Sequence, residues 1–64
     1  MMNRRDIYHS AMALVSHCGA HARLHADIKR IELGRAGDED GAALWRRISD
    51  AVVEIQETEW QTRH

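Results

Sequence analysis

The sequence predicts a small all-α domain, and three observations support this prediction. The 64 residues contain no proline, and β-branched and aromatic residues are too sparse to alternate along strands. Alanine, leucine, arginine and glutamate are abundant, which favours helix along most of the chain. Apolar residues recur at steps of three and four, and four glycines interrupt the pattern. We therefore expect a single helical domain over residues 1–64, folded as a small three-helix bundle with helices at about 4–17, 20–34 and 38–62.

The last helix has the clearest signals for its start and for its buried face. Asp38 is a favourable N-cap, and Glu39 and Asp40 place negative charge in the first turn. Gly37 suits the left-handed residue that ends a preceding helix, with Gly34 as an alternative end. One apolar face then follows at helical spacing: Leu44, Trp45, Ile48, Ala51, Val52 and Ile55. We expect this helix to be the longest and to form the spine of the core.

The residues before Gly34 carry two apolar stripes that do not share one face of a continuous helix. The first stripe comprises Ile7, Tyr8, Ala11, Leu14, Val15 and Cys18, and the second comprises Ala20, Leu24, Ile28 and Ile31. On an unbroken helix the two stripes would be rotated by roughly 140° from each other. A helix end at Gly19 removes this conflict and lets both stripes face one core. The alternative is a continuous helix in a two-helix αα-hairpin that dimerises into a four-helix bundle, with the second stripe against another subunit.

Several features between Ala13 and Gln56 form a consistent layout. An apolar helix ends in a His-x-Gly motif, an Ala-rich helix contains Arg-Ile, and a Gly-Asp turn precedes a helix with one core tryptophan. The residues that carry this layout are His17, Gly19, Arg30, Ile31, Gly37, Asp38, Gly41, Trp45, Ile48 and Ala51. The layout resembles a family of small uncharacterised bacterial all-helical proteins. The resemblance implies a helix–Gly–helix–Gly-Asp–helix arrangement and no activity, and Cys18, inserted before Gly19, departs from the family's pattern.

Composition and charge argue against several classes of function. The chain has 9 basic and 10 acidic side chains, whereas a nucleic-acid-binding domain of this size is normally basic. Its apolar runs are too short for a membrane span or a signal peptide. The single cysteine, Cys18, excludes an internal disulfide, and its place on the first stripe predicts a buried, unreactive thiol. We therefore expect a cytoplasmic protein with no nucleic-acid or membrane partner, no cofactor and, at this size, no enzymatic activity.

Three histidines, His17, His21 and His25, recur at intervals of four residues. Histidines spaced in this way on a helix can hold zinc, nickel or copper, and Asp27 and Glu32 are carboxylates that could complete a site. The competing interpretation is that the first histidine packs at a helix end while the other two are partly exposed. The motif also lacks the glutamate of zinc proteases. Metal binding is therefore the alternative hypothesis for function.

The leading hypothesis is a non-catalytic interaction module that binds itself, as a homodimer, or another protein. A chain of 64 residues buries a small core, and a partner subunit is a common source of additional stability. Trp60 lies outside the main apolar face of the last helix, in a position that suits an anchor for a partner. The candidate interface residues are Trp60, Val53, Gln56 and Tyr8. A further candidate stripe comprises Tyr8, Ala22, Ala26 and Leu33.

Overall fold

The computed structural model describes the backbone of residues 3–62 and the side chains of residues 3–58. Helix α1 spans Arg4–Cys18, a 3-10 turn spans Gly19–His21, α2 spans Ala22–Arg35 and α3 spans Glu39–Thr62. No strand occurs within residues 3–62, so the all-helical prediction is confirmed. The 3-10 turn joins α1 to α2 without an intervening loop. The predicted division into three separate helices is therefore matched only in part.

Helix α1 begins at a side-chain cap and ends at a glycine. The side-chain oxygen of Asn3 accepts a hydrogen bond of 3.0 Å from the backbone N–H of Asp6, which satisfies a free donor of the first turn. At the other end Gly19 has φ 54° and ψ −126°, a conformation that a β-carbon strains, and its N–H donates to the carbonyl of Val15. The interruption predicted at Gly19 is therefore present, and one 3-10 turn leads into α2.

A tight turn joins α2 to α3. Gly37 has a positive φ of 84°. The N–H of Asp38 donates to the carbonyl of Leu33 at 2.9 Å, and the N–H of Gly37 donates to that of Gly34 at 3.1 Å. These two bonds form a Schellman motif. Asp38 then caps α3, because its Oδ1 accepts from the N–H of Gly41 at 2.9 Å. The predicted turn and cap are confirmed, with Gly37 rather than Gly34 as the left-handed residue.

The core lies between α1 and α3 and is closed by one face of α2. Its buried members are Ile7, Ala11, Ala22, Ile48, Ala51 and Val52. Partly buried side chains pack around them, namely Tyr8, Leu14, Val15, Cys18, Leu44, Trp45 and Ile55. The apolar faces predicted for the first and last helices therefore do face the core. The thiol of Cys18 is half-buried and free, rather than fully buried as predicted.

Helix α2 buries the face opposite to the one expected from its larger apolar residues. Ala22 and Ala26 are fully buried, whereas Leu24, Ile28 and Ile31 are 57%, 46% and 45% exposed. The prediction that the second stripe faces the core is therefore wrong, and so is the use of Ala22 and Ala26 for an intermolecular surface. The physical reason is volume. Side chains of α1 and α3 already fill the core with branched and aromatic groups, and alanine lets α2 lie close against α3, its main neighbour.

Candidate interaction surface

The outer face of α2 is the main exposed apolar surface of the described residues. Leu24, Ile28 and Ile31 follow one another at spacings of four and three, on the side of the helix away from its buried alanines. Of the four large apolar side chains exposed within residues 3–58, only Met12 of α1 lies elsewhere. Clustered apolar residues are typical of interfaces, whereas single exposed ones are ordinary. We call Leu24, Ile28 and Ile31 the outer stripe.

Polar contacts between α2 and α3 hold α2 in the rotation that turns the outer stripe towards solvent. The hydroxyl of Ser49, a side chain only 6% exposed, donates to Oδ1 of Asp27 at 2.9 Å. The Nε atoms of Arg23 and Arg30 lie 3.8 and 4.0 Å from the same carboxylate. Asp27, considered above as a possible metal ligand, is therefore engaged within its own chain. A rotation of α2 that buried the outer stripe would break the bond to Ser49.

An aromatic contact fixes the other flank of α2 against α3. The rings of His25 and Trp45 meet edge to face, with centroids 6.1 Å apart and planes inclined at 62°. The imidazole of His25 is nevertheless exposed to solvent. The flank of the outer stripe therefore carries a ring that can donate a hydrogen bond and that is held in place by its own chain.

The three histidines are all exposed and do not form a ligand cluster. Within the described residues, no group of three or more His, Cys, Asp or Glu side chains is placed to hold a metal ion. His17 ends α1, His21 lies in the 3-10 turn, and His25 packs against Trp45. The geometry thus lends no support to metal binding by His17, His21 and His25, which stays a prediction.

Tyr8, a predicted interface residue, contacts α3 of its own chain. Its hydroxyl donates to the carboxylate of Glu54, and the guanidinium of Arg4 lies 5.9 Å from the ring centroid. The hydrogen bond to Glu54, with some desolvation, raises the pKa of Tyr8 above its usual value, while Arg4 acts in the opposite direction. This contact ties the first turns of α1 to α3.

The other predicted interface residues lie on α3. Nε2 of Gln56 donates to the carbonyl of Gly19 at 3.1 Å, so this half-buried side chain joins α3 to the turn after α1. Val53 is half-buried beside a shallow polar depression that includes Arg46. The side chain of Trp60 lies outside the described residues, and its predicted role as an anchor stays a prediction.

The sequence contained a signal for the outer stripe. Helix α2 has small apolar residues on one side, Ala22 and Ala26, and large ones on the other. A helix that is apolar on two opposite sides has two neighbours or one exposed apolar side. The larger side was assigned to the core by the phase of its apolar residues, because a helix end at Gly19 lets both stripes face one core. That criterion ignored the space left between the other two helices.

No protein-family model, curated protein or solved structure matches the chain. The resemblance to small uncharacterised bacterial proteins therefore stays a prediction. Within the part of the chain that the structure describes, no helix combines the length and the apolarity needed to cross a membrane.

Proposed function

We propose that this domain is a non-catalytic, self-associating module, a three-helix bundle that dimerises through the outer stripe of α2. The observation that carries the proposal is the exposure of Leu24, Ile28 and Ile31 along one helix face. Four of the seven buried hydrophobic residues within the described chain are alanines, so the core itself contributes little. Covering apolar surface is favourable by about 25 cal/mol per Å². The outer stripe therefore offers apolar surface that the folding of one chain does not bury.

A second copy of the chain is the occupant that fits this surface. A two-fold interface uses the same patch on both subunits, and a helix face with apolar residues at spacings of three and four is self-complementary. The net charge of −1 gives two copies little overall repulsion. Helix α2 has 14 residues and is about 21 Å long, so its pairing forms a small interface. We expect a reversible dimer with a Kd of about 1–100 μM.

This proposal joins two ideas that the sequence offered as alternatives. The helix is interrupted at Gly19, as in the bundle, and the second stripe packs against another subunit, as in the hairpin. The proposal assigns the domain no catalytic step, no cofactor and no nucleic-acid partner, in keeping with its nearly balanced charge. It also places the protein in the cytoplasm, where the free thiol of Cys18 stays reduced.

Sedimentation equilibrium of the wild type and of glutamine variants tests the proposal. Glutamine matches methionine and slightly exceeds isoleucine in helix propensity, but it removes the apolar surface. We expect Ile28→Gln to raise the dimer Kd at least about tenfold, because the side chain is lost from both subunits. Met12→Gln is the matched control, because Met12 is 59% exposed but lies outside the outer stripe. A wild type that stays monomeric at roughly 100 μM, or an equal effect of both variants, would show that the outer stripe is not an interface.

A further inference from the structure

We infer that two copies pair α2 with α2 in antiparallel orientation, with His25 of each copy beside the partner's Glu32. This inference rests on the proposed self-association and specifies its geometry. The evidence for it is the set of polar side chains that flank the outer stripe. Some of them are paired within their own chain, and others are free to contact a partner.

The outer stripe is the middle of a longer seam along α2. The seam consists of His21, Leu24, Ile28, Ile31 and Arg35, with spacings of three, four, three and four residues. This is the spacing at which two helices pack side by side with interlocking side chains. The polar ends of the seam limit the apolar contact to its centre. The arrangement of two such seams then depends on the residues along their flanks.

The two flanks of the seam carry different polar side chains. His25 and Glu32 lie on one flank, and Asp27 and Gly34 lie on the other. In a parallel pair each flank meets the opposite flank of the partner, whereas in an antiparallel pair it meets the same flank. The choice of orientation therefore decides which charges come together.

A parallel pair brings acidic side chains together. It aligns each apolar residue with its own copy, but it also sets Asp27 beside the partner's Glu32, and by symmetry it does so twice. Adjacent carboxylates repel. Arg23 and Arg30 lie 3.8 and 4.0 Å from the Asp27 carboxylate and offset part of this repulsion. The parallel pair is therefore disfavoured mainly because it leaves His25 and Glu32 apart.

Two antiparallel registers bring the same number of large apolar residues into contact. In the register centred on Ala26, Ile28 packs on the partner's Leu24, and Asp27 lies beside the partner's Asp27. This register therefore sets two carboxylates together, although the arginines beside each Asp27 weaken the repulsion, and it leaves Glu32 apart from the partner's His25. Because apolar contact alone does not select between the registers, the polar side chains on the flanks determine which register is favoured.

The other antiparallel register, moved about one turn towards Arg35, gives complementary flanks. It sets His25 beside the partner's Glu32 twice, and it sets Asp27 beside the partner's Gly34, which has no side chain to clash or repel. The long aliphatic stem of Arg35 can also cover the partner's Leu24. Among the arrangements compared, only this one pairs unlike polar groups on one flank without setting carboxylates together on the other.

His25 and Glu32 are available for this contact. Both side chains are exposed, and within the described residues neither makes a hydrogen bond or ion pair. The contact with Trp45 holds the imidazole of His25 against α3. A ring N–H can donate to a carboxylate whether the imidazole is neutral or protonated.

Charge reversal at Glu32 distinguishes the parallel pair and the two antiparallel registers, because it should weaken, strengthen or leave unchanged the dimer according to the arrangement. We expect Glu32→Arg to weaken the dimer roughly three- to tenfold in sedimentation equilibrium, because two exposed pairs are lost. The double variant His25→Glu/Glu32→Arg places opposite charges at the same two positions and should return the Kd to within about threefold of the wild type. A tighter dimer of Glu32→Arg alone indicates a parallel pair and overturns the inference. An unchanged Kd indicates the register centred on Ala26 and overturns it as well.

The same experiment separates an error in this geometry from an error in the proposed function. Ile28→Gln should raise the dimer Kd at least about tenfold in every arrangement of the outer stripe. If it does and the charge swap fails to rescue, only the antiparallel geometry is wrong. If Ile28→Gln keeps the Kd of the wild type, the interface lies elsewhere and both proposals are wrong. Circular dichroism of each variant verifies that the helices persist, and tryptophan fluorescence, to which Trp45 and Trp60 both contribute, monitors the loss of the ring contact when His25 is replaced.

Discussion

Helices α3 and α2 both carry apolar residues at helical spacing, yet only α3 buries its larger ones. Ile48 of α3 is 4% exposed, whereas Ile28 of α2 is 46% exposed. Helix α3 contributes to a core that α1 and α2 both join, so its apolar face is covered from two sides. Helix α2 fits the remaining space with Ala22 and Ala26. The difference shows that apolar periodicity identifies a face that gains from burial but does not identify the surface that covers it.

Replacing one isoleucine on each helix by alanine measures the difference between α3 and α2 directly. Ile48→Ala should lower the free energy of unfolding by about 2–5 kcal/mol, because it opens a cavity in the core. That loss is comparable to the whole stability of a domain of this size. Ile28→Ala should change the stability of the monomer by less than about 0.5 kcal/mol. Urea unfolding monitored by circular dichroism, at concentrations well below the dimer Kd, measures both values.

The same two variants also give the result that would contradict this difference between the helices. Equal losses for Ile48→Ala and Ile28→Ala at low concentration would mean that the outer stripe packs within the monomer. A loss for Ile28→Ala that grows with protein concentration is the expected sign of a dimer, because association stabilises the folded chain by mass action.

Local features of the fold were predictable from the sequence. The cap at Asp38 and the turn at Gly37 depend on a few neighbouring residues, and the structure has both where the sequence predicts them. The interruption at Gly19 was predictable because two stripes of one chain disagreed in phase. The rotation of α2 was not predictable in this way. It depends on the volumes that α1 and α3 leave free, and no window of neighbouring residues contains that information.

The sequence predicted a surface for self-association, but it did not predict which residues form the exposed apolar surface. Gln56 was assigned to an intermolecular surface with Trp60, outside the main face of the last helix, and Tyr8 was assigned to one with a further stripe. Their partners, the Gly19 carbonyl and Glu54, are respectively 37 and 46 residues away along the chain. The outer stripe was recognised as a possible subunit contact, but only together with a continuous helix. An interrupted helix with an outward stripe requires the three-dimensional arrangement to be known.

A smaller effect should follow from loss of the hydrogen bond that fixes the rotation of α2. Ser49→Ala removes the donor to Asp27 and should lower the free energy of unfolding by about 0.5–1.5 kcal/mol. Alanine is also a better helix former than serine, which offsets part of the loss. Ser16→Ala on α1 is the matched control for this gain, because Ser16 is exposed and forms none of the side-chain hydrogen bonds found within the described residues. If the two variants have equal stability, the alanine face and the contact of His25 with Trp45 set the rotation of α2 without the Ser49 bond.

The smallest expected effect concerns the contact of α1 with α3, where Tyr8 meets Glu54. Tyr8 is the only tyrosine, so the ultraviolet absorbance of tyrosinate reports its titration directly. Because the Glu54 hydrogen bond raises the pKa of Tyr8 in the folded protein, the midpoint should lie above 10.0, and Glu54→Gln should lower it towards that value.

The same shift links pH to stability, with a definite sign. A raised folded-state pKa means that the folded chain holds the Tyr8 proton more tightly than the unfolded chain does. The resulting stabilisation is complete below pH 10.0, the unfolded value, and is lost as the pH rises through the higher folded-state pKa. The free energy of unfolding should therefore fall more steeply with alkaline pH in the wild type than in Glu54→Gln. Identical slopes would show that Tyr8 does not hold α1 on α3 in solution. Helix α1 would then be held on α3 by its apolar face and by the bond from Gln56 to the Gly19 carbonyl.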